Sequence, residues 1–267
     1  MQTKGINLIL VVKQDGLYTS CFDTFKSIQK KIFMKEGVQY SLSIRFSSDG
    51  FSLSIYNELD KLLSVRKVTT ALFKTTSEDI VKLLTEETET FLNMKSTRVI
   101  CETDLYTLVP AAIFKAEEAS LYLNFHDKRD KTDRILFNRL SQRDIVNVFS
   151  IPNALNVAIN QLYPGSTIEH HISWFFNEKL NRQTDNSVHI WVRPEVMDVV
   201  VLTNRNVILA NSFAYETSED FVYFTLNIFD QLVLNKDEYK IKLYNTKNQT
   251  DIQDCLKKYI KCCQTME

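Results

Sequence analysis

Glu169, His170 and His171 form the best cluster of potential metal ligands in the sequence. A carboxylate and two imidazoles could bind a zinc ion if another histidine came near. The surrounding apolar residues predict a strand over residues 167–176, which would put Glu169 and His171 on one face and His170 on the other. Only two ligands would then share a side, so we interpret the cluster as polar residues on a half-exposed strand.

The sequence Ser48-Asp49-Gly50 is the nearest approach to a phosphate-binding turn. Such turns need glycine, because backbone N–H groups must face the phosphates without obstruction by a Cβ atom. The chain has only five glycines, however, and an Asp-Gly pair is also the strongest signal of an ordinary hairpin. We therefore predict a hairpin, and assign Ser48, Asp49 and Gly50 to cofactor binding only if a nucleotide binds.

Other catalytic signatures are missing from the sequence. It has no Walker loop, no Gly-x-Ser-x-Gly elbow and no Cys-x-x-Cys pair. The five cysteines fit neither a secreted disulfide framework nor a zinc spacing, so we expect reduced thiols in a cytoplasm. No catalytic residue, metal or resident cofactor is assigned, and an enzymatic activity is not expected.

The elements that would position these groups begin with a three-stranded meander, followed by a capped helix and a fourth strand. Alternating apolar residues predict strands at 40–46, 51–56 and 62–68. The sequence Thr76-Ser77-Glu78-Asp79 supplies a hydroxyl cap and first-turn acids, which predict the start of a helix. A strand at 98–101 closes this unit.

The same order returns about 145 residues later, with strands predicted at 188–192, 196–202 and 207–213, a helix capped by Thr217 and a strand at 239–244. The helix caps are displaced by 141 positions, which indicates an insertion of about four residues in the first unit. A last helix is expected at 251–262, and residues 105–114 are aligned with it. The order βββαβα in both halves is that of a ribonuclease-H-like unit, although a chance recurrence of so common an order stays open.

Two such units in tandem make an actin-like ATPase fold, and the chain resembles an uncharacterised bacterial family with that fold, distantly similar in architecture to FtsA and PilM. The resemblance rests on Leu108 to Phe114 (LVPAAIF), Glu117 and an expected strand at 121–125. It implies an α/β protein of two tandem ribonuclease-H-like units. The expected organisation is an N-terminal extension (1–39), a first half with a connecting insertion (40–178) and a second half (179–267).

An actin-like ATPase holds nucleotide between two hairpin turns and a glycine-rich adenosine loop, and the sequence departs from this pattern. The second hairpin offers Arg193-Pro194-Glu195, in which proline lacks a donor and glutamate repels phosphate. The expected adenosine region, residues 245–248, has no glycine. These departures argue against nucleotide hydrolysis.

A two-metal nuclease is rejected for a similar reason, because it needs carboxylates that converge from the first and fourth strands. The predicted first strands of both units contain no carboxylate. Glu102 and Asp104 follow one fourth strand and are expected to be unpartnered.

Composition excludes further classes of protein. Lys and Arg number 32 against 33 Asp and Glu, so the chain lacks the positive charge typical of nucleic-acid binders. It contains no apolar run of about 18 residues, so we expect no membrane insertion and a cytoplasmic location. Residues 6–12, the one candidate targeting segment, are short and lack a small-residue cleavage site, and we predict a strand there.

Two functional hypotheses remain. In the first, the chain is a non-catalytic scaffold with a degenerate actin-like fold that binds an unidentified protein partner. In the second, it is an ATP-binding conformational switch with unorthodox phosphate loops. The shortage of glycine favours the first.

Overall fold

The computed structural model describes residues 39–88, 94–124, 130, 132–140, 142–245, 250–260 and 263–266. The predicted strand at 6–12 and most of the predicted adenosine region lie outside these residues. In the part of the chain that the structure describes, no helix is long and apolar enough to cross a membrane.

The first sheet grows from the predicted meander and has the order β3-β2-β1-β4-β8. Its strands are β1 (Ser41–Ser47), β2 (Gly50–Tyr56), β3 (Leu62–Thr69), β4 (Ser96–Cys101) and β8 (Ile168–His170). The meander is antiparallel, whereas β4 pairs with β1 and β8 pairs with β4 in parallel. Alternate residues such as Ile44 and Leu53 are fully buried in one core with residues of helices α1 (Ser77–Thr88) and α2 (Asn153–Leu162). We call this sheet and its helices the N-terminal unit.

The second sheet repeats the first, with the order β11-β10-β9-β12-β13. Its strands are β9 (Ser187–Val192), β10 (Val196–Thr203), β11 (Asn206–Ala214), β12 (Lys240–Tyr244) and β13 (Cys263–Met266), and its helices are α4 (Ser218–Gln231) and α5 (Thr250–Lys257). Strand β12 pairs with β9 in parallel, as β4 does with β1. These elements form the C-terminal unit. The predicted repeat is confirmed, and β13 is an additional strand.

Matching caps start the first helix of each unit. The backbone N–H of Asp79 donates to Thr76 Oγ1 (3.2 Å), and that of Asp220 donates to Thr217 Oγ1 (3.1 Å). The predicted insertion lies just before the first of these caps, where the chain makes a 3₁₀ turn at Leu72–Lys74. Leu72 is fully buried in the core, so the inserted residues contribute to packing.

A third sheet is inserted between β4 and α2. It consists of β5 (Tyr106–Pro110), β6 (Arg134–Leu140) and β7 (Ile145–Ile151) in the order β5-β7-β6. The predicted alignment of residues 105–114 with a helix is wrong, because this segment pairs with β7, and α2 is the helix that matches α5. The predicted strand at 121–125 is also wrong, since Leu121–Leu123 form a 3₁₀ turn.

The two units meet around the segment that follows β8. The predicted strand at 167–176 ends at His170, and the chain continues as α3 (His171–Phe175) and a π-helical turn (Phe176–Leu180). The rings of Trp174 and Phe175 pack against Trp191 at 5.0 and 5.5 Å between centroids. These contacts place α3 against the sheet of the C-terminal unit.

Candidate functional site

The first hairpin satisfies its own polar groups. Ser48 and Asp49 form a two-residue turn closed by the pair Ser47 and Gly50. Asp49 accepts a hydrogen bond from Ser47 Oγ (2.5 Å) and lies 3.1 Å from Lys67 Nζ. The hydrogen bond from Ser47 is the main reason that the pKa of Asp49 is lowered. The carboxylate thus has local partners, as expected of a turn residue.

Gly50 is required by a close approach between strands. Its φ angle is +139°, and a Cβ atom at this position would lie 1.9 Å from the backbone oxygen of Val68 on β3. No other residue fits there without displacing β3. The glycine is therefore explained by strand packing without reference to a phosphate.

The second hairpin carries a largely buried, positively charged side chain, that of Arg193. Arg193 begins the turn between β9 and β10, and its guanidinium donates two hydrogen bonds of 2.8 Å to Asp198 of β10. Asp198 also accepts from Ser212 Oγ (2.6 Å). Burial alone would raise the pKa of Asp198, but the attraction of the neighbouring His171 and Arg193, together with the hydrogen bonds from Arg193, outweighs it, so that this pKa is well below its usual range.

Carboxylates and guanidiniums from both units form a network where β1 and the residues after β4 approach the second hairpin. Arg45 Nη1 donates to Glu102 (2.8 Å), and the other oxygen of Glu102 lies 3.9 Å from Arg193 Nη1. Asp104 lies 3.7 Å from Arg193 Nη2. Glu102 and Asp104, which were expected to lack partner carboxylates, lie instead beside arginines, Glu102 beside Arg45 of its own unit and both of them beside Arg193 of the other unit.

This network opposes phosphate binding between the units. Both guanidiniums are already bound by carboxylates, and Arg45 also lies over the ring of Trp174 at 4.5 Å. A phosphate would have to displace Glu102 or Asp198 and would be repelled by them. The network can hold two units together, which is a structural rather than a catalytic task.

The predicted histidine cluster is reorganised by the turn after β8. His170 is fully buried, and its Nδ1 lies 3.0 Å from Asn147 Nδ2 and 3.3 Å from the N–H of Ile172. Since both neighbours are donors, Nδ1 is the acceptor, and the proton sits on Nε2, 3.1 Å from the carbonyl oxygen of Thr103. Burial holds the pKa of His170 well below its usual value. Both ring nitrogens are therefore engaged by protein groups.

His171 begins α3 and does not share a strand face with Glu169, which corrects the predicted alternation. The centroid of its ring lies 4.3 Å from that of His170, with the two rings tilted by 48°, and its Nε2 lies 3.3 Å from Asp198 Oδ2. Glu169 instead accepts a hydrogen bond from Asn177 (2.8 Å). Among the described residues, no group of three or more histidine, cysteine or acidic side chains is placed to hold a metal ion.

A groove of about 730 Å³ lies between the first sheet and the inserted sheet. Residues 96–98 of β4 and residues 137–139 of β6 line it. Successive side chains of a strand point to opposite faces of the sheet. Because three consecutive residues of each strand line the groove, the groove follows the edge of each strand rather than a face of the sheet. The short β8 pairs only with residues 99–101 of β4, and β6 is the last strand of its sheet. The groove therefore runs between two strand edges that have no backbone pairing with a described strand, and the side chain of Asn138 on β6 bonds the backbone of Ile168 and His170 of β8 at its floor.

Polar and aromatic side chains complete this groove. Ser166 Oγ is buried without a hydrogen-bond partner among the described residues. Burial raises the pKa of Glu169, which also lines the groove. Arg98 is paired with Glu178 at 2.7 Å, whereas Arg139 lies over the ring of Phe114 at 5.4 Å and has no carboxylate partner in the described part of the chain. Such a surface can bind an extended backbone and a negative charge.

No motif predicts the bond between Arg193 and Asp198, but one sequence signal points to it. Asp198 interrupts the apolar run of β10, from Val196 to Leu202, and a carboxylate inside a buried strand needs a cationic partner. The groove has no comparable signal, because it arises from strands that are far apart in the sequence.

Comparison with known proteins supports the fold and leaves the activity open. A family model described as "Protein of unknown function (DUF3822)" matches residues 29–263. No curated protein matches the chain.

Solved structures include a Bacteroides thetaiotaomicron protein described as having an actin-like ATPase fold and unknown function. It is 25% identical, with a TM-score of 0.73 over 85% of this chain and 91% of that one. A PilM-PilN type IV pilus biogenesis complex is 13% identical (TM-score 0.49, 85% and 88% covered), and EutJ from Carboxydothermus hydrogenoformans is 6% identical (TM-score 0.45, 85% and 84% covered). The first of these structures confirms the expected actin-like fold.

Proposed function

We propose that this chain, which belongs to the DUF3822 family of proteins of unknown function, is a non-catalytic protein-binding module. Its ligand is an extended segment of a partner protein, held in the groove between β4 and β6. The observation that carries this proposal is that two strand edges without backbone pairing to any described strand face one groove. An extended segment can pair with such an edge through its backbone, while side-chain contacts select the sequence.

The groove also favours a particular partner sequence. Arg139 offers a positive charge, and Phe137 is partly exposed beside it. An acidic residue and an apolar residue at alternate positions of the bound segment would complement them. The ligand is therefore a protein segment of this chemistry and not a nucleic acid, which agrees with the near-neutral charge of the chain.

The partner is expected to be a cytoplasmic protein. The described cysteines Cys101, Cys255 and Cys263 are free thiols, and a reducing compartment keeps thiols in this state. The cytoplasmic location forms part of the proposal.

The alternative, an ATP-binding switch, is supported only by the fold. Melting curves of the full chain with and without magnesium and ATP separate the two. A ligand at a hundredfold excess over its Kd would stabilise the native state by about 2.7 kcal/mol, which is readily seen in such a curve. We expect no rise in melting temperature, and a clear rise would favour the switch.

Peptide display against the full chain tests the groove directly. We expect selected peptides to carry an acidic and an apolar residue at alternate positions, and Arg139→Glu to weaken their binding about tenfold. Arg134→Glu is the matched control, because Arg134 is also exposed on β6 but does not line the groove. Equal effects of the two substitutions, or the absence of binding peptides, would contradict the proposal.

A further inference from the structure

The outer edge of the first sheet carries an apolar patch. Strand β3 is the last strand of that sheet, and β2 is its only partner among the described strands. Leu62, Leu63 and Val65 on this strand are exposed, Val65 by 54%, and Leu59 in the preceding turn is 87% exposed. We call these four residues the β3 patch. Proteins normally protect an edge strand with charges, proline or a covering segment, and residues 62–65 carry neither charge nor proline.

The described chain begins beside this patch. The backbone N–H of Gln39 donates to Glu58 Oε1 at 3.0 Å, and Glu58 lies in the turn that leads from β2 into β3. Gln39, which 38 residues precede in the sequence, therefore lies at the end of the sheet where β3 starts.

One part of those 38 residues has the chemistry of a strand that could cover the edge. Residues 6–12 read Ile-Asn-Leu-Ile-Leu-Val-Val, a run without charge, glycine or proline that is rich in residues favoured in strands. With seven residues, it is one residue shorter than β3. Its branched side chains are also suited to contact with Leu63 and Val65.

We propose that residues 6–12 bind along the free edge of β3 as an additional strand of the same sheet, in the same chain. The 26 residues between this segment and Gln39 would span ~25–30 Å as a flexible linker. Strand β3 is about 26 Å long, so the segment can reach either end of it. This docking supplies backbone partners to the edge and covers the β3 patch. It is independent of the peptide groove, which lies beyond the opposite edge of the first sheet.

Hydrogen–deuterium exchange on the full chain tests the docking. A double substitution, Ile9→Asp with Leu10→Asp, places a charge on each face of the segment and should speed exchange of residues 62–69 about tenfold or more. The matched control, Thr19→Asp with Ser20→Asp, adds the same charge outside the segment and should leave that exchange unchanged. Residues 196–203 of β10 serve as the internal reference for global stability.

A reciprocal substitution separates docking from unfolding. Val65→Asp changes an exposed residue, so it should preserve the fold and speed exchange of residues 6–12. Identical exchange of β3 in the wild type and the Ile9→Asp/Leu10→Asp protein would overturn the proposal. Protection of β3 that disappears on dilution would also overturn it, because the segment would then come from a second copy.

Discussion

Nε2 of His171, which directly follows β8 of the N-terminal unit, lies 3.3 Å from Oδ2 of Asp198 in the C-terminal unit, and both side chains are almost fully buried, at 4% and 1% exposure. Arg193 binds the same carboxylate through two hydrogen bonds. Asp198 is therefore the residue at which the two units share a buried charge. Its removal is expected to affect the stability of the whole molecule.

We expect Asp198→Asn to lower the free energy of unfolding by about 3–5 kcal/mol, because the buried guanidinium of Arg193 loses its main partner. Urea denaturation measures this loss. Asp104→Asn is the matched control, since Asp104 also lies near Arg193 but its side chain is 72% exposed, and its effect should stay within about 0.5 kcal/mol. Similar small losses for both variants would show that the network does not stabilise the fold.

Stability should fall when the pH is lowered from 7 to 5, because of buried neutral histidines. Burial, followed by the charge of Lys242, lowers the pKa of His189 to about 3, against about 6.5 in the unfolded chain. Between these two pKa values the unfolded state binds one proton more than the folded state. His189 alone therefore lowers the free energy of unfolding by up to ~1.4 kcal/mol for each unit by which the pH falls. The contribution of neutral His189 to stability is complete at a pH above the pKa of the unfolded chain. It decreases as the pH falls below that value and is fully lost once the pH has fallen through the pKa of the folded state.

His170 should act in the same direction, since burial also lowers its pKa. The lowered pKa of Asp198 adds a further loss only below about pH 4, where the unfolded carboxylate becomes protonated. Urea denaturation across this pH range gives the slope. His189→Gln should make it shallower by about the contribution of one histidine, and an unchanged slope would assign the pH dependence to other groups.

Gly50→Ala and Gly165→Ala compare a glycine that has no room for a Cβ atom with one that has room. Both have a positive φ, but a Cβ atom at Gly165 meets nothing within 4 Å, whereas one at Gly50 meets the backbone of β3. We expect a loss of about 3 kcal/mol or more for Gly50→Ala and about 1 kcal/mol for Gly165→Ala, measured by thermal unfolding. Equal losses would mean that β3 moves away easily.

Asp49→Asn tests whether the first hairpin is only a turn. Asparagine can still accept the hydrogen bond from Ser47, and the ion pair with Lys67 is exposed, so stability should change by no more than about 0.5 kcal/mol. Partner binding should not change. A variant that melts like the parent but loses a magnesium- or nucleotide-dependent property would assign metal chemistry to this carboxylate.

Local patterns in the sequence predicted the elements that depend on local physics. The alternation in β1 and β2 and the caps at Thr76 and Thr217 act over a few residues, and the structure contains them. Residues 105–114 are aligned with a helix only because the second unit ends in one, and the pairing of Tyr106–Pro110 with β7 shows that they form a strand instead.

Long-range contacts explain what the sequence did not predict. His171 does not continue the expected strand, because the chain turns there and packs against Trp191 of the other unit. Glu102 lies near Arg193, which is about 90 residues away in the sequence. The groove likewise depends on how far β8 extends along β4. Such features follow from how distant segments meet.

The inserted sheet also has a consequence for the order of folding. The pairing of β4 with β8 joins Cys101 to His170, whereas the pairing of β12 with β13 joins Ile241 to Cys263. The first pairing therefore closes a chain loop that is about three times longer. Closing this loop costs ~1 kcal/mol more in conformational entropy. The hydrogen bond from Ser150 to Leu105 (3.0 Å) joins the two ends of the insertion and shortens that loop once β5 and β7 have paired. The C-terminal unit can therefore form from contacts within about 80 residues of chain, while closure of the N-terminal unit waits for the insertion to fold.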